Sequence, residues 1–232
     1  MRITVLHGQM HRGSTYNITR LFLDRLSDEN TEINEFFMPR DAPPFCIGCY
    51  NCFTKSESQC PHADTVQPVA KAIEEADLLI LESPCYVLGM TGQLKTFLDH
   101  MGYRWMAHRP HPKMFGKVGL VISTAAGVGA KKVTKVLRSH LFHWGVPQIY
   151  RYGKNVGAAS WETVKPEMKA EIEKEVNRIA TRIMKEVGRA KPRVKTKALF
   201  EVMRMSQKAN DWNPTDKEYW LKNGWLDGNK PW

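Results

Sequence analysis

The chain has 232 residues, 42% of them hydrophobic, enough to bury one substantial core, and no Ser/Gly-rich or Pro-rich linker divides it. Lys and Arg number 34 against 24 Asp and Glu, a formal charge of +10, which favours anionic partners: nucleotide cofactors, nucleic acid or acidic lipid. No run of about 18 apolar residues occurs, and a polar loop begins by residue 7 where a signal peptide would be apolar, so no membrane span and a soluble, cytoplasmic protein are expected.

Arg2 to Leu6 is an apolar strand that runs through a loop of small and polar residues into an amphipathic helix with Ile18, Leu21, Phe22 and Leu26 on one face. Such a loop presents free backbone N–H groups at the positive end of a helix, with Ser14, Thr15 and Asn17 as added donors. It reads either as a phosphate cradle or as an ordinary connection with Ser14 or Thr15 as N-cap, and it fits neither the P-loop nor the dinucleotide fingerprint. Glu32 to Phe37 is a second strand, followed by an aperiodic stretch of the length that usually carries function.

Asp64 starts a helix with Val66, Val69, Ala70 and Ile73 inward, and Asp77 to Leu81 is a continuous apolar strand. The loop from Pro84 to Met90 leads into a helix capped by Thr91, with Leu94, Phe97, Leu98 and Met101 on one face. Lys117 to Ile122 is a strand ending in the small residues 123 to 129, and the next helix is expected to bury Val133, Val136, Leu137, Leu141 and Trp144. Val146 to Tyr150 is a fifth strand, and a long helix follows from Pro166 to Val187. Five alternations of strand and helix argue for a doubly wound parallel sheet, in which the loops at 7–15, 83–90 and 123–129 share one edge.

Residues 1–190 therefore read as one α/β domain and 191–232 as a C-terminal extension, basic and helical over Val194 to Ala209 and then rich in Trp and Tyr. Those aromatics need a surface to cover, which suggests a dimer arm or a cofactor lid; nucleic-acid stacking is the weaker reading.

Cys46, Cys49, Cys52 and Cys60 crowd into one loop. A Cys-x2-Cys-x2-Cys run with a later Cys-Pro is the pattern by which bacterial ferredoxins hold iron and sulfur, and a 4Fe-4S cluster is one reading. Reduced thiols without metal are the second, and zinc the third, since structural zinc normally takes two ligand pairs with a longer spacer. Cys85 stands apart as a small packing residue.

Taken as a set, His7 to Asn17, Pro44 to Cys52 with Cys60 and Asp64, Glu75-Ala-Asp77, Ser83 to Tyr86 with Gly92 to Lys95 and Asp99, and Thr124 to Gly129 resemble the NAD(P)H-dependent FMN reductases of flavodoxin-like fold, and within them the iron-sulfur flavoproteins. The tail from Glu218 to Leu226 looks like the C-terminal segment of several such oxidoreductases. The resemblance implies a five-stranded flavodoxin-like sheet whose first loop, with Gln9, His11, Ser14, Thr15, Tyr16 and Asn17, holds the FMN phosphate. Pro84, Cys85, Tyr86, Val87 and Leu88 would run along the isoalloxazine, and Thr124, Ala125, Ala126 and Gly127 would close its other edge. Cys46, Cys49, Cys52 and Cys60 would ligate the cluster. Gln9 and Met10 depart from the Ser and Pro usual in the family, so the loop is expected to be shaped differently.

The flavin then carries the chemistry and no catalytic side chain is assigned. The expected activity passes electrons from NAD(P)H through FMN to a small acceptor such as a quinone or free flavin, in a homodimer or homotetramer. A flavin and iron-sulfur carrier served by ferredoxin, and a nucleic-acid-binding module using the basic tail, are the alternatives. His108 and His111 are expected near the cofactor mouth, with Tyr103, Arg104 and Trp105 shaping the acceptor pocket.

Overall fold

A computed structural model describes residues 1–232. Five parallel strands, β1 (Arg2–His7), β2 (Glu32–Phe37), β3 (Leu78–Glu82), β4 (Val118–Ala125) and β5 (Gln148–Asn155), lie in the order β2-β1-β3-β4-β5. This is the flavodoxin-like doubly wound order, and it reverses direction at β1 and β3. Helices α1 (Ser14–Leu26) and α6 (Pro166–Glu186) cover one face, and α3 (Ala63–Glu75), α4 (Gly92–His100) and α5 (Ala130–His143) the other.

The central strands β3 and β4 are buried at every position because both faces are covered, whereas the edge strands β2 and β5 carry charged residues at their margins. Leu6, Leu79, Leu81 and Val121 pack beneath α3, α4 and α5 with Ile73, Phe97 and Leu137. Ile3, Val5, Ile80, Leu120 and Ile122 pack beneath α1 and α6 with Ile18, Phe22, Ile172 and Val176. Each fully buried aliphatic or Phe side chain contributes about 1.5–3 kcal/mol, so the two layers hold the sheet edge rigid.

Three expectations are corrected. The fifth strand is Gln148–Asn155, not 146–150: it pairs residue for residue with β4 as far as Ala125↔Asn155, and ladder hydrogen bonds carry it through Arg151 and Lys154. The small residues Ser123 to Ala125 belong to β4 and not to the loop after it. Val136 is 42% exposed, so the buried stripe of α5 runs through Val133, Leu137 and Leu141 without it.

The aperiodic stretch contains one helical turn, α2 (Asn51–Thr54), and a tight turn at Glu57–Gln59. The extension forms α7 (Val194–Lys208) and α8 (Pro214–Lys222). Its aromatics make a third core in which Phe200, Trp220 and Trp225 pack on Met106 and Phe115. Trp220 stacks on Phe200 at 5.0 Å and its indole N–H donates to the His108 carbonyl, which leaves neither Trp220 nor Trp225 free to stack on bases; Trp212 alone among the tail's expected stacking residues lies open, at 72% exposure. No helix is long and apolar enough to cross a membrane.

Candidate functional site

The ends of β1, β3 and β4 deliver three loops to one edge, where they enclose a cavity of about 240 Å³. Gly8 follows β1, and its N–H donates to the Glu82 carbonyl at 2.8 Å; a Cβ at Gly8 would sit 2.8 Å from that oxygen, so only Gly lets the chain stay paired there. Gln9, although expected to face a ligand, spends its side chain on the loop: its amide donates to the His11 carbonyl and its oxygen accepts the His11 N–H.

Helix α1 begins at Ser14 with Gly13 as N-cap and no side chain capping it. Its first N–H groups are therefore open, at the positive end of a thirteen-residue helix. The Thr15 and Thr124 hydroxyls, both buried, share a 2.7 Å hydrogen bond that ties the first loop to the end of β4.

Of the residues expected to hold the cofactor, Gln9, His11, Ser14, Thr15, Pro84, Cys85, Tyr86, Thr124, Ala125 and Ala126 line the cavity. Tyr16, Asn17, Val87, Leu88 and Gly127 do not. The Asn17 amide donates to the Arg12 and Gly13 carbonyls at 3.0 and 2.9 Å, which ties the first loop to the first turn of α1. Tyr16 packs beside His7 instead, 5.5 Å between ring centres. Tyr86 and Gly89 exchange two 2.9 Å backbone hydrogen bonds, and the turn between them puts Val87 and Leu88 at φ of 48° and 61°. The Val87 side chain is thereby held wholly in solvent. Gly13, Val156, Ala158 and Ala159 complete the lining and were missed. The signal was present in the small residues Val156-Gly-Ala-Ala-Ser160 after the fifth strand, a fourth loop on the same edge.

Beneath the first loop, both nitrogens of the buried His7 ring face carboxylates, Glu82 and Glu35, each at 2.9 Å. Burial opposes charge on His7, but hydrogen bonds to Glu35 and Glu82 overcome it and raise its pKa. The same hydrogen bond from His7 lowers Glu35, whereas complete burial raises Glu82. This triad braces β1, β2 and β3 and does not line that cavity.

All four cysteines of the central loop line a second cavity, of about 390 Å³, with Phe45, Tyr50, Phe53, His62, Thr96, Asp99 and His100 among its walls. Cys46 and Cys49 are exposed; Cys52 and Cys60 are half-buried. Burial and then the neighbouring thiols push Cys52 up to about 11, so a thiolate there needs a cation beside it. Helix α4 joins the sites: it starts beside the loop of Pro84 to Thr91 and brings Thr96, Asp99 and His100 into the cysteine cavity, about 12 Å along its axis.

The extension supports this loop from behind. Arg109, buried, donates to the Cys52 carbonyl and, at 3.1 Å, to the Phe53 carbonyl, and its charge meets Asp216 of α8 at 2.7 Å. Asp216 is fully buried and also accepts from Asn213 and His108. Thr215 donates to the Thr54 carbonyl at 2.8 Å. No residue of 191–232 lines the first cavity, so within one chain the extension is no lid over it. His108 is likewise engaged with Asp216, while His111 faces Glu74. Tyr103 lies in the core, Arg104 pairs with Glu74 and Glu57, and Trp105 stacks on His143 at 4.5 Å. None of these five lines the first cavity, contrary to expectation, because the segment from 103 to 111 is the floor on which the extension packs.

The family model described as NADPH-dependent FMN reductase matches residues 1–159. An iron-sulfur flavoprotein of Archaeoglobus fulgidus is 30% identical over 156 residues, covering 66% of this chain and 68% of that one. One of Methanocaldococcus jannaschii is 26% identical over 165 residues, 69% and 82% of the two chains. A quinone reductase of Escherichia coli is 24% identical over 128 residues, 55% and 62%. Among solved structures, an FMN-dependent NADH-azoreductase from Bacillus anthracis in complex with FMN superposes with a TM-score of 0.60 at 13% identity, over 79% of this chain and all of that one, a likeness of fold.

Proposed function

Since the chain belongs to the NADPH-dependent FMN reductase family and is thus an FMN-dependent NAD(P)H oxidoreductase, we propose that FMN binds in the cavity of the three loops. We propose further that electrons leave it for a small acceptor, a quinone or free flavin, with a 4Fe-4S cluster in the cysteine loop as second redox centre.

The observation that carries this reading is the pairing of two cavities across α4, one built for an anion and one ringed by four thiols. The first fits FMN in kind: open N–H groups of Ser14 and Thr15 for the phosphate, and Ala125, Ala126, Ala158 and Ala159 as a low wall for a flat ring. The second fits a cluster better than one tetrahedral ion. Zinc at about 2.3 Å from each sulfur draws its thiolates to within about 4 Å of one another. The four sulfurs here do not gather three at a time within 4.8 Å, the spacing met by Cys60, His62 and His100. A cube with iron at its corners holds its ligands farther apart.

Bound there, FMN supplies the electron exchange that no side chain can. The residues position and shield. Thr15 and Thr124 lock the start of α1 to the end of β4, Gln9 and Asn17 hold the first loop's backbone in shape, and Tyr86 stands half-exposed at the rim. Arg109 fixes the carbonyls of Cys52 and Phe53, so the thiols hold their places. Residues 1–190 are on this reading the redox unit and 191–232 its support. The exposed Phe45, Ile47, Val87 and Val128 around the same edge support a homo-oligomer that covers them, which light scattering on a sizing column would test.

Anaerobic purification followed by an absorption spectrum, with flavin and iron quantified together, tests the cofactors. One FMN and four irons per chain, and flavin bleaching by NADPH within the turnover time, are expected. A colourless protein that takes up no FMN at micromolar concentration overturns the reading.

A further inference from the structure

Cys60, His62 and His100 lie on the wall that the cysteine cavity shares with α3 and α4, and their ligand atoms are all within 4.8 Å of one another. His100 is buried, and its Nδ1–H donates to the Thr96 carbonyl one turn earlier on α4, at 2.9 Å. A carbonyl only accepts, so this bond fixes the tautomer and leaves the His100 Nε2 lone pair bare, aimed at His62, whose Nδ1–H donates to it at 2.9 Å. An imidazole held by a backbone carbonyl through one nitrogen, with the other directed at a second imidazole and a thiol, is the outer-shell arrangement of a metal-binding histidine.

We propose that Cys60, His62 and His100 form a single-ion site for a divalent cation of zinc type, with the fourth position open to the cysteine cavity. The ligand set suits zinc: one thiolate and two imidazoles, with water completing a tetrahedron. On binding, the Cys60 thiol proton is released to solvent. His62 moves its proton from Nδ1 to Nε2, so both rings bind neutral. The two nitrogens need to part by only about half an ångström from their hydrogen-bonded separation to share a tetrahedral ion at about 2.0–2.1 Å.

Cys60 is also the fourth cysteine proposed for the cluster, so on that reading the two metals are alternative occupants. A chain loaded with zinc cannot then complete its cluster until zinc is withdrawn.

The test uses the full-length chain freed of iron by chelation, titrated with zinc alone and separately with cobalt as its coloured substitute. One equivalent of zinc with release of one proton is expected, and a tetrahedral cobalt spectrum whose thiolate band has the intensity of one sulfur. His62→Ala and His100→Ala should each weaken zinc at least about 100-fold, more than loss of an outer-shell partner costs. Cys46→Ser and Cys49→Ser should leave it unchanged. A cobalt band of three or four sulfurs, or histidine variants that bind as the wild type does, overturns the site. The wild-type cobalt spectrum decides even if a variant fails to fold. Iron uptake into wild-type protein, measured without zinc, reports on the cluster reading separately: a chain that builds a cluster yet takes no zinc refutes this site alone.

Discussion

Replacing Asp216 by Ala tests whether the extension supports the cysteine loop. The carboxylate is fully buried and meets Arg109 and His108 at 2.7 Å each and Asn213 at 2.9 Å. Its loss strands the Arg109 guanidinium, 5% exposed, with the Cys52 and Phe53 carbonyls and with Glu57 at 3.6 Å as the remaining charge. Removing one partner of a buried pair costs about 3–5 kcal/mol, and Glu57 puts this case at the lower end, about 3 kcal/mol. Against a total of about 5–15 kcal/mol that is a large share. With a urea slope of about 2–3 kcal/mol/M, the midpoint followed by tryptophan fluorescence should fall by about 1 M or more. Iron retained after anaerobic reconstitution should fall with it, while bound flavin, on the other side of α4, should not. A midpoint shift corresponding to less than about 1 kcal/mol, with iron unaltered, refutes the support role.

Thr15→Val leaves the buried Thr124 hydroxyl without its partner and loosens the wall between two loops, so FMN affinity should drop about 5- to 30-fold in a flavin-fluorescence titration of apoprotein. Val87→Asn relieves a β-branched residue at φ 48° whose side chain touches nothing; a gain of about 1 kcal/mol should raise the melting temperature by about 2–4 °C. Cys52→Ser should abolish iron uptake while flavin stoichiometry holds, as read by paired iron and flavin assays. His7 has a folded pKa raised above its unfolded value of 6.5, so its contribution is complete below that pH and is lost as pH rises through the folded value. The urea midpoint should decline over that window in the wild type and stay flat in His7→Gln; a wild-type midpoint that climbs there contradicts the sign.

The sheet was legible because the inner strands, covered on both faces, carry apolar runs such as Leu78 to Leu81 and Leu120 to Ile122, and because helices with regular apolar stripes alternate with the strands. The edge holding the site was legible from its small and polar loops, and ten of the residues named there meet in one cavity. What misled was the assumption that polar side chains in such a loop point at the ligand: Gln9 and Asn17 point at the loop's own backbone. Strand β5 was cut short because its outer half is held by hydrogen bonds to β4 and carries charges that hydropathy rejects. The work of the extension was hidden for a different reason. Arg109 and Asp216 are 107 residues apart, as His7 and Glu82 are 75 apart, and nothing local in sequence marks either member as spoken for.

That long-range pair also sets an order of events during synthesis. Cys52 leaves the ribosome roughly 10 to 30 s before Asp216 does, at about 5–20 residues per second. Arg109 emerges partway through that interval and until its end lacks Asp216, the buried partner that holds its guanidinium on the Cys52 and Phe53 carbonyls, so the nascent loop is an unlatched one. A cluster in that loop, on the reading proposed above, would be completed after translation, with the last helix, α8, as the latch that tells a finished receptacle from an unfinished one.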